Sequence, residues 1–407
     1  MRSVFKVAGL LDVLDGRLIP DAYVAVDGEK VAAFGRQSEM AAADVSSACF
    51  DFPNHTILPG LINCHVHLCK PSNGVPFYHR QSRDEARAYA IRNLEQELQS
   101  GVTTIRDCGD LEGVLLDLRF SMPAKQRPRM VLCGPPLTVS QGHAYFLGGV
   151  SEGYQGLRKA VERWVGKGAD FIKLIATGGG TPGTHPAYAA YSVADMSVVV
   201  KAAHACGKKV SAHCRGIPGI KNAIDAGIDH MEHACFELPD GTLRFDTAVA
   251  EKMAEAKIVV TPTIQLYRDA QCFLESKRES KGLTNAEHAQ LAGLTQTIHQ
   301  KYKALRGFID AGVPCVAGND AGLPYTGFGC LWQELDAMIS GGMTTMQAIR
   351  AGTQTAAEAL GLAAQIGSIS VGKAADLLVV EGNPLADLSA LKRVRMVMRA
   401  GQIVFNT

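Results

Sequence analysis

The sequence predicts an α/β protein: a (β/α)8 barrel over residues 57–356 and a small β domain assembled from residues 1–56 and 357–407. Three observations carry that expectation. Short β-branched runs alternate with amphipathic stretches through the middle of the chain. The helix-like stretches often end in glycine, at Gly101, Gly207, Gly227 and Gly312, which suits a left-handed cap before the next strand. Both ends carry short alternating runs around turn residues. No GxGxxG opens a helix after the first strand, so an open dinucleotide-binding sheet loses its main signal.

The candidate barrel strands, in order, are TILPGLINCHVHL, GVTTIRDCG, RMVLCGPPL, DFIKLIATGGG, KVSAHC, IDHMEHACF, KIVVTPTIQLY and VPCVAGNDAG. Helical stretches such as RDEARAYAIRNLEQELQSG, EGYQGLRKAVERWVGKG and VADMSVVVKAAHACGK lie between them. Near the start, YVAVDGEKVAAFG reads as a hairpin about Asp27-Gly28. Near the end, ISVGKAADLLVV and VRMVMRAGQIVFN read the same way. Neither end holds enough apolar residues for its own core, so the two are expected to pack together.

Composition excludes several classes. Among 407 residues, 41 Lys and Arg against 40 Asp and Glu leave a formal charge of +1. Neither nucleic acid nor an anionic membrane is indicated as a partner. The eleven cysteines are odd in number and form no CxxC pair, so buried free thiols are expected rather than disulfides or a cysteine zinc site. Cys64 and Cys69 flank HVHL but are read as thiols too. The opening MRSVFKVAGLLDVLDG carries Asp12 and Asp15 where a signal peptide needs an apolar core, and it reads as a strand and turn. No stretch reaches transmembrane length. The expectation is a soluble, reduced, cytoplasmic protein, with a homo-oligomer compatible with it.

In a parallel barrel the reactive groups sit at the carboxyl ends of the strands. The first strand offers His65 and His67, whose spacing of two puts both imidazoles on one side. The fourth offers Lys173, the fifth His213, the sixth His233 or His230, and the eighth Asp320. Each has an ordinary alternative. A paired or single histidine can be a hydrogen-bonded core residue, and a strand lysine can snorkel outward. Together they read as one constellation.

These residues resemble the amidohydrolase superfamily. PGLINCHVHL, the fourth-strand lysine, the histidines of strands five and six, the GND aspartate and the tail GSISVGKAADLLVVEGNPL carry the likeness over nearly the whole chain. The resemblance implies a distorted (β/α)8 TIM barrel with a β-sandwich built from both termini. It also implies two divalent metal ions, usually zinc. His65, His67 and Asp320 would hold one, His213 and His233 the other, with carboxylated Lys173 (N6-carboxylysine) bridging them. His233 is preferred to His230 because the family histidine follows an acidic residue, here Glu232. His230, an odd number of residues away, is expected to stand behind the ligands or face outward. The family usually has aspartate where this chain has Asn63, which suggests a missing anion behind His65.

The implied chemistry is hydrolysis of an amide bond. Metal ions bring the pKa of water from 15.7 to roughly 7. Asp320 would take the water's proton and deliver it to the departing amine. Within the superfamily the likeness is to metal-dependent dipeptidases of the prolidase and Xaa-Arg/Lys carboxypeptidase type, related to imidazolonepropionase. The loops TVSQGHAYFLGG, TGGGTPGTHPAYAAYS, HCRGIPG, QLYRDAQCF and DAGLPYTGFG are glycine-rich and aromatic, with little acid beyond Asp269. A neutral or apolar dipeptide, Xaa-Pro first, or an N-acyl amino acid is therefore expected. His143, Arg215 and Tyr267 are the candidates for gripping the carbonyl or the carboxylate. The alternatives for Arg215 and Tyr267 are a surface helix start and a core aromatic. Asp107 has no assigned part. GGGTPG lacks a following GK[ST] and is not a phosphate loop. Rival readings are a ring amidohydrolase of the imidazolonepropionase type, a deaminase, and a scaffold without activity. The strand lysine argues against the first two and the filled ligand positions against the third.

Overall fold

The computed structural model describes residues 2–41, 44, 48–72 and 74–407. Strands from both ends of the chain form one mixed seven-stranded sheet. The early members are β1 (Arg2–Asp12), β2 (Arg17–Asp27), β3 (Lys30–Arg36) and β4 (Ala48–Pro59). β1 pairs antiparallel with β2 and parallel with β4. Alternation decides the faces: Ala22, Val24 and Val26 join one buried cluster, Tyr23 and Ala25 another. The first cluster also takes Leu377, Val379, Met396 and Met398 from the far end of the chain. The two ends thus share one core, as their separate lack of apolar residues required.

Next in the chain is a three-stranded parallel sheet, β5 (Leu61–Val66), β6 (Val102–Asp107) and β7 (Arg129–Leu132). A four-stranded parallel sheet follows, β8 (Phe171–Ile175), β9 (Lys209–Gly216), β10 (His230–Glu237) and β11 (Val259–Thr261). Every residue of β5, β6, β8 and β10 is buried, as expected of parallel strands covered on both faces. Single bridges link the sheet edges: Leu137 to Leu174, Val260 to Cys315, and Val66 to Ala321. The terminal sheet is then completed by β12 (Leu377–Glu381), β13 (Val394–Arg399) and β14 (Gln402–Asn406), with β12 against β4.

The expected helices form as α1 (Arg83–Gln99), α2 (Val114–Ser121), α3 (Gly153–Gly166), α4 (Val193–Ala205) and α5 (Ile217–Ala226). After α6 (Thr247–Glu255) come the long α7 (Gln265–Lys281) and α8 (Asn285–Asp310). Capping boxes start α1 at Ser82 and Glu85, and α8 at Thr284 and Glu287. The four glycines expected as caps all have positive φ, between 66° and 90°.

Two expectations change. VPCVAGNDAG is not a regular strand; it meets its neighbours through bridges at Cys315 and Ala321 and through the Cys64 N–H to Ala317 carbonyl and Asp320 N–H to His65 carbonyl bonds. It passes close to β5 and β11 at Gly318, where a Cβ would lie 2.6 Å from Thr261 Cγ2 and 2.8 Å from His65 Cβ, so glycine is needed there. The end of KIVVTPTIQLY also differs: Gln265 begins α7, so Tyr267 and Asp269 stand on a helix and not on a loop. The buried Glu334 carboxylate accepts from the Ile264 and Gln265 N–H groups and holds that start. All eleven cysteines are free, and seven are buried. Among the described residues, no helix is long and apolar enough to cross a membrane.

Candidate active site

At the carboxyl ends of the parallel strands, the six expected side chains converge. His65 Nε2 lies 3.3 Å and His67 Nε2 3.4 Å from Asp320 Oδ1, so the two imidazoles of HVH do share a side. The His233 ring centroid is 5.1 Å from that of His65 and 4.6 Å from that of His213. Ligand atoms of His65, His233 and Asp320 fall within 4.8 Å of one another, a spacing that could hold a metal ion. A second such grouping, His65, Cys108 and Glu232, is chemically poorer. Burial pushes the Cys108 thiol up to about 12, and Arg106 already engages Glu232.

Each imidazole is held from behind. His65 Nδ1 lies 2.8 Å from Glu232 Oε2, and His67 Nδ1 lies 3.1 Å from the Gly109 carbonyl. His213 bonds the Gly178 carbonyl through Nε2 at 3.1 Å, which turns its Nδ1 inward. His233 Nδ1 lies 2.8 Å from Thr263 Oγ1. Such partners fix ring orientation and the nitrogen offered forward. Burial lowers the pKa values of His65, His213 and His233, and the Lys173 ammonium adds to it, so the rings are neutral and able to bind a cation.

Within the cluster, two buried atoms have no hydrogen-bond partner among the described residues: Lys173 Nζ, and Asp320 Oδ1, which stands only 3.3 and 3.4 Å from the His65 and His67 nitrogens. The nearest anion to Lys173 is Glu232 Oε1, at 3.9 Å. Burial opposes the charge on Asp320, but His65 and His67 outweigh it and hold the carboxyl below its usual value.

Sequence reasoning missed the layer beneath. Arg106 Nη2 meets Glu232 Oε1 at 2.6 Å, and Ser211 donates to the same oxygen. This answers the concern over Asn63, because Glu232 supplies the anion behind His65. Asn63 instead donates to Asn319 Oδ1 at 2.9 Å and fixes the backbone beside Asp320. The only signal was Glu232 itself, which served merely to choose between two histidines. His230 corrects the parity argument. It points inward, 3.1 Å from Arg106 and 2.8 Å from Thr261 Oγ1. His233 also faces in because the pleat ends there: its φ is 67°, and those of Ala234 and Phe236 are 42° and 54°. Asp107 now has a part, accepting from Leu68 N and Gly109 N to shape the turns around His67.

Above the cluster lies a cavity of about 120 Å³, walled by Phe77, His143, Arg215, Tyr267 and Leu323 with His67, His213, His233 and Asp320. It is small beside the roughly 300–1,000 Å³ of typical ligand sites, so only the reacting part of a substrate is enclosed. A larger cavity of about 460 Å³ opens at the other ends of β7 to β10, and none of the six converging side chains lines it. His143 is stationed 2.8 Å from Thr181 Oγ1. That oxygen also accepts from Ala144 N, and its own proton can go to His143 Nδ1, an arrangement that would leave the imidazole proton on Nε2. Burial, aided by Arg215, drives the His143 pKa down to about 3 and keeps the ring neutral. Arg215 is no surface residue: it grips Glu237 Oε2 through Nε at 2.8 Å and Nη2 at 2.7 Å. Tyr267 is buried, with its hydroxyl 3.8 Å from Cys235 Sγ. Asp269 stands outside the cavity wall, bonded to Gln265.

Convergent histidines and a carboxylate at the strand ends form a group that could hold a metal ion. Residues 56–404 match the amidohydrolase family, and the chain belongs to it. An ochratoxinase of Aspergillus niger is 27% identical over 376 residues, 84% of this chain and 74% of that protein. A crystal structure of a Xaa-Pro dipeptidase with methionine in its active site superposes with a TM-score of 0.85 at 26% identity, over 100% of both chains. A prolidase complexed with N-methylphosphonate-L-proline gives 0.83 at 27% identity, again over 100% of both chains. The neighbours are hydrolases of amide and peptide bonds.

Proposed function

We propose that this chain is a binuclear-metal amidohydrolase that cleaves the amide bond of a dipeptide or N-acyl amino acid, with Xaa-Pro dipeptides first. The observation that carries the metal reading is the buried Lys173 Nζ, without a hydrogen-bond partner beside Asp320 and neutral imidazoles. An ammonium so placed is costly and binds no cation. Addition of CO2 to the neutral amine, with loss of one proton, gives a carbamate with two anionic oxygens. His65, His67 and Asp320 would then hold one zinc ion and His213 and His233 the other, with carboxylated Lys173 between them. We read the bridges between sheet edges as closure of a (β/α)8 barrel over residues 57–356, and the terminal sheet folded over its core as the sandwich. Eleven free thiols suit a reducing cytoplasm.

Bound zinc would polarise the amide carbonyl and bring a water's pKa to roughly 7. The chain's own groups do the rest. Asp320 accepts the proton of the attacking water and passes it to the leaving nitrogen, which departs as a neutral amine. His143 presents Nε2–H to the carbonyl oxygen as negative charge grows there. Arg215, steadied by Glu237, and Tyr267 face the substrate's carboxylate end. Phe77 and Leu323 keep water out. Among the described residues Asp320 is the sole carboxylate in the cavity wall, so a cationic arginine or lysine side chain finds no partner among them there. That favours Xaa-Pro over Xaa-Arg. Similarity to both a dipeptidase and an ochratoxinase supports the amide class and keeps N-acyl amino acids in the test.

The test is zinc reconstitution followed by a panel of Xaa-Pro, Xaa-Arg and N-acyl amino acids. Two zinc ions per chain and highest kcat/KM on Xaa-Pro are expected. One zinc ion with Lys173→Ala still active would favour a ring amidohydrolase or deaminase. Failure on the whole panel would favour a scaffold.

A further inference from the structure

Lys301 lies in α8, outside every motif that marks the family, and is 2% exposed. Its Nζ is 2.6 Å from the His233 carbonyl oxygen, 3.7 Å from Cys235 Sγ and 5.9 Å from the centre of the Tyr267 ring. Among the described residues no carboxylate pairs with it. A buried ammonium kept without an anion needs a reason, since burying a charge is costly.

The reason is visible in β10. Its ladder with β9 is regular through His233 and then breaks until Glu237. Across the break, His233, Ala234 and Phe236 all take positive φ, a conformation that side-chain-bearing residues avoid. This swing carries the His233 imidazole to the mouth, and it takes the His233 carbonyl out of the ladder. Lys301 meets that carbonyl with a charge-assisted hydrogen bond, stronger than a neutral one. The same ammonium borders Cys235 and Tyr267, and Tyr267 lines the cavity.

We infer that Lys301 is a positioning residue: it holds the end of β10 in the left-handed conformation that presents His233 to the second metal ion. The assignment rests on the binuclear reading above. It says that a helix outside the parallel strands sets the geometry of one ion's ligands and leaves the other ion's ligands alone, because His65, His67 and Asp320 make no contact with Lys301.

Metal-free protein titrated with Co2+, followed by absorbance, tests this without any substrate. The wild-type chain is expected to bind two ions. Lys301→Met keeps length and burial but cannot donate. It should bind the first ion normally and the second on the order of 10- to 100-fold more weakly, the usual cost of losing a partner behind a ligand. Lys301→Gln, a shorter neutral donor, should fall between them and serves if the methionine variant does not fold. Two ions held as tightly by the variants as by wild type would overturn the assignment alone. Equal weakening of both ions, with a matching fall in Tm, would make Lys301 a general structural lysine and overturn it too. A wild-type chain that binds one ion would sink the binuclear reading and this assignment with it.

Discussion

At the scale of single residues, Glu232 holds the most together. Its two oxygens meet His65, Arg106 and Ser211, and it is fully buried. Burial opposes its charge, yet Arg106, with Lys173 next, holds its carboxyl well below the usual range. Glu232→Gln would keep the volume and leave the Arg106 guanidinium buried without an anion. Breaking such a pair from one side costs about 3–5 kcal/mol. Urea unfolding of the metal-free variant should show a loss of that size, and zinc uptake should fall with it. An unchanged midpoint would mean that Arg106 has another partner. The six converging residues were legible in the sequence because strand ends can be counted and each carried an unusual side chain. Glu232 was not, because the residue that steadies a ligand looks like any acid beside a histidine.

At the scale of elements, composition found the strands and helices, and crowding decided what composition left open. The run ending in Asp320 has a strand's residues and passes close to β5 and β11, joined to them by isolated bridges and a few backbone bonds. Gly318 permits that approach. Gly318→Ala would place its methyl 2.7 Å from the His65 nitrogen and against Thr261. Overpacking of this kind costs about 1–3 kcal/mol. The expected outcome is a lower unfolding free energy together with weakened metal binding, read by urea melts and Co2+ titration on the same sample. Parity reasoning failed at His230 for a related cause: alternation holds only while the pleat does, and β10 abandons it at His233. Tyr267 escaped a loop assignment because Glu334, 67 residues further on, supplies the acceptors that start α7. No local pattern announces such a cap.

At the scale of the whole molecule, pH acts through buried acids away from the cluster. Burial raises Glu97 on α1 to about 7 from an ordinary 4.5, despite bonds from Gly329 N and Asn63. The native state therefore holds this proton where the unfolded chain has lost it. Stability falls as pH rises from 4.5 towards 7, and the full loss, about 3 kcal/mol, is reached above it. Glu97→Gln should lessen the slope by that amount, since the buried Asp110 and Glu334, also raised to about 7, keep their share. Unfolding free energies of the metal-free proteins at pH 4.5 and 8 check it, and identical slopes in the two would refute the assignment. The shared core of the two chain ends was legible as a shortage of apolar residues in each. Its strand order was not, since a parallel pairing of β1 with β4 leaves no turn to read.

That strand order governs how the protein is made. β4 leaves the ribosome early and carries the chain straight into β5, but its neighbour β12 emerges only after all the other parallel strands. Throughout translation β4 offers one bare edge of backbone donors and acceptors, ready to recruit a strand from another nascent copy. A stop codon ahead of Leu377 would make that interval permanent, and the truncated product should collect in inclusion bodies even though every residue of the catalytic cluster has been synthesised.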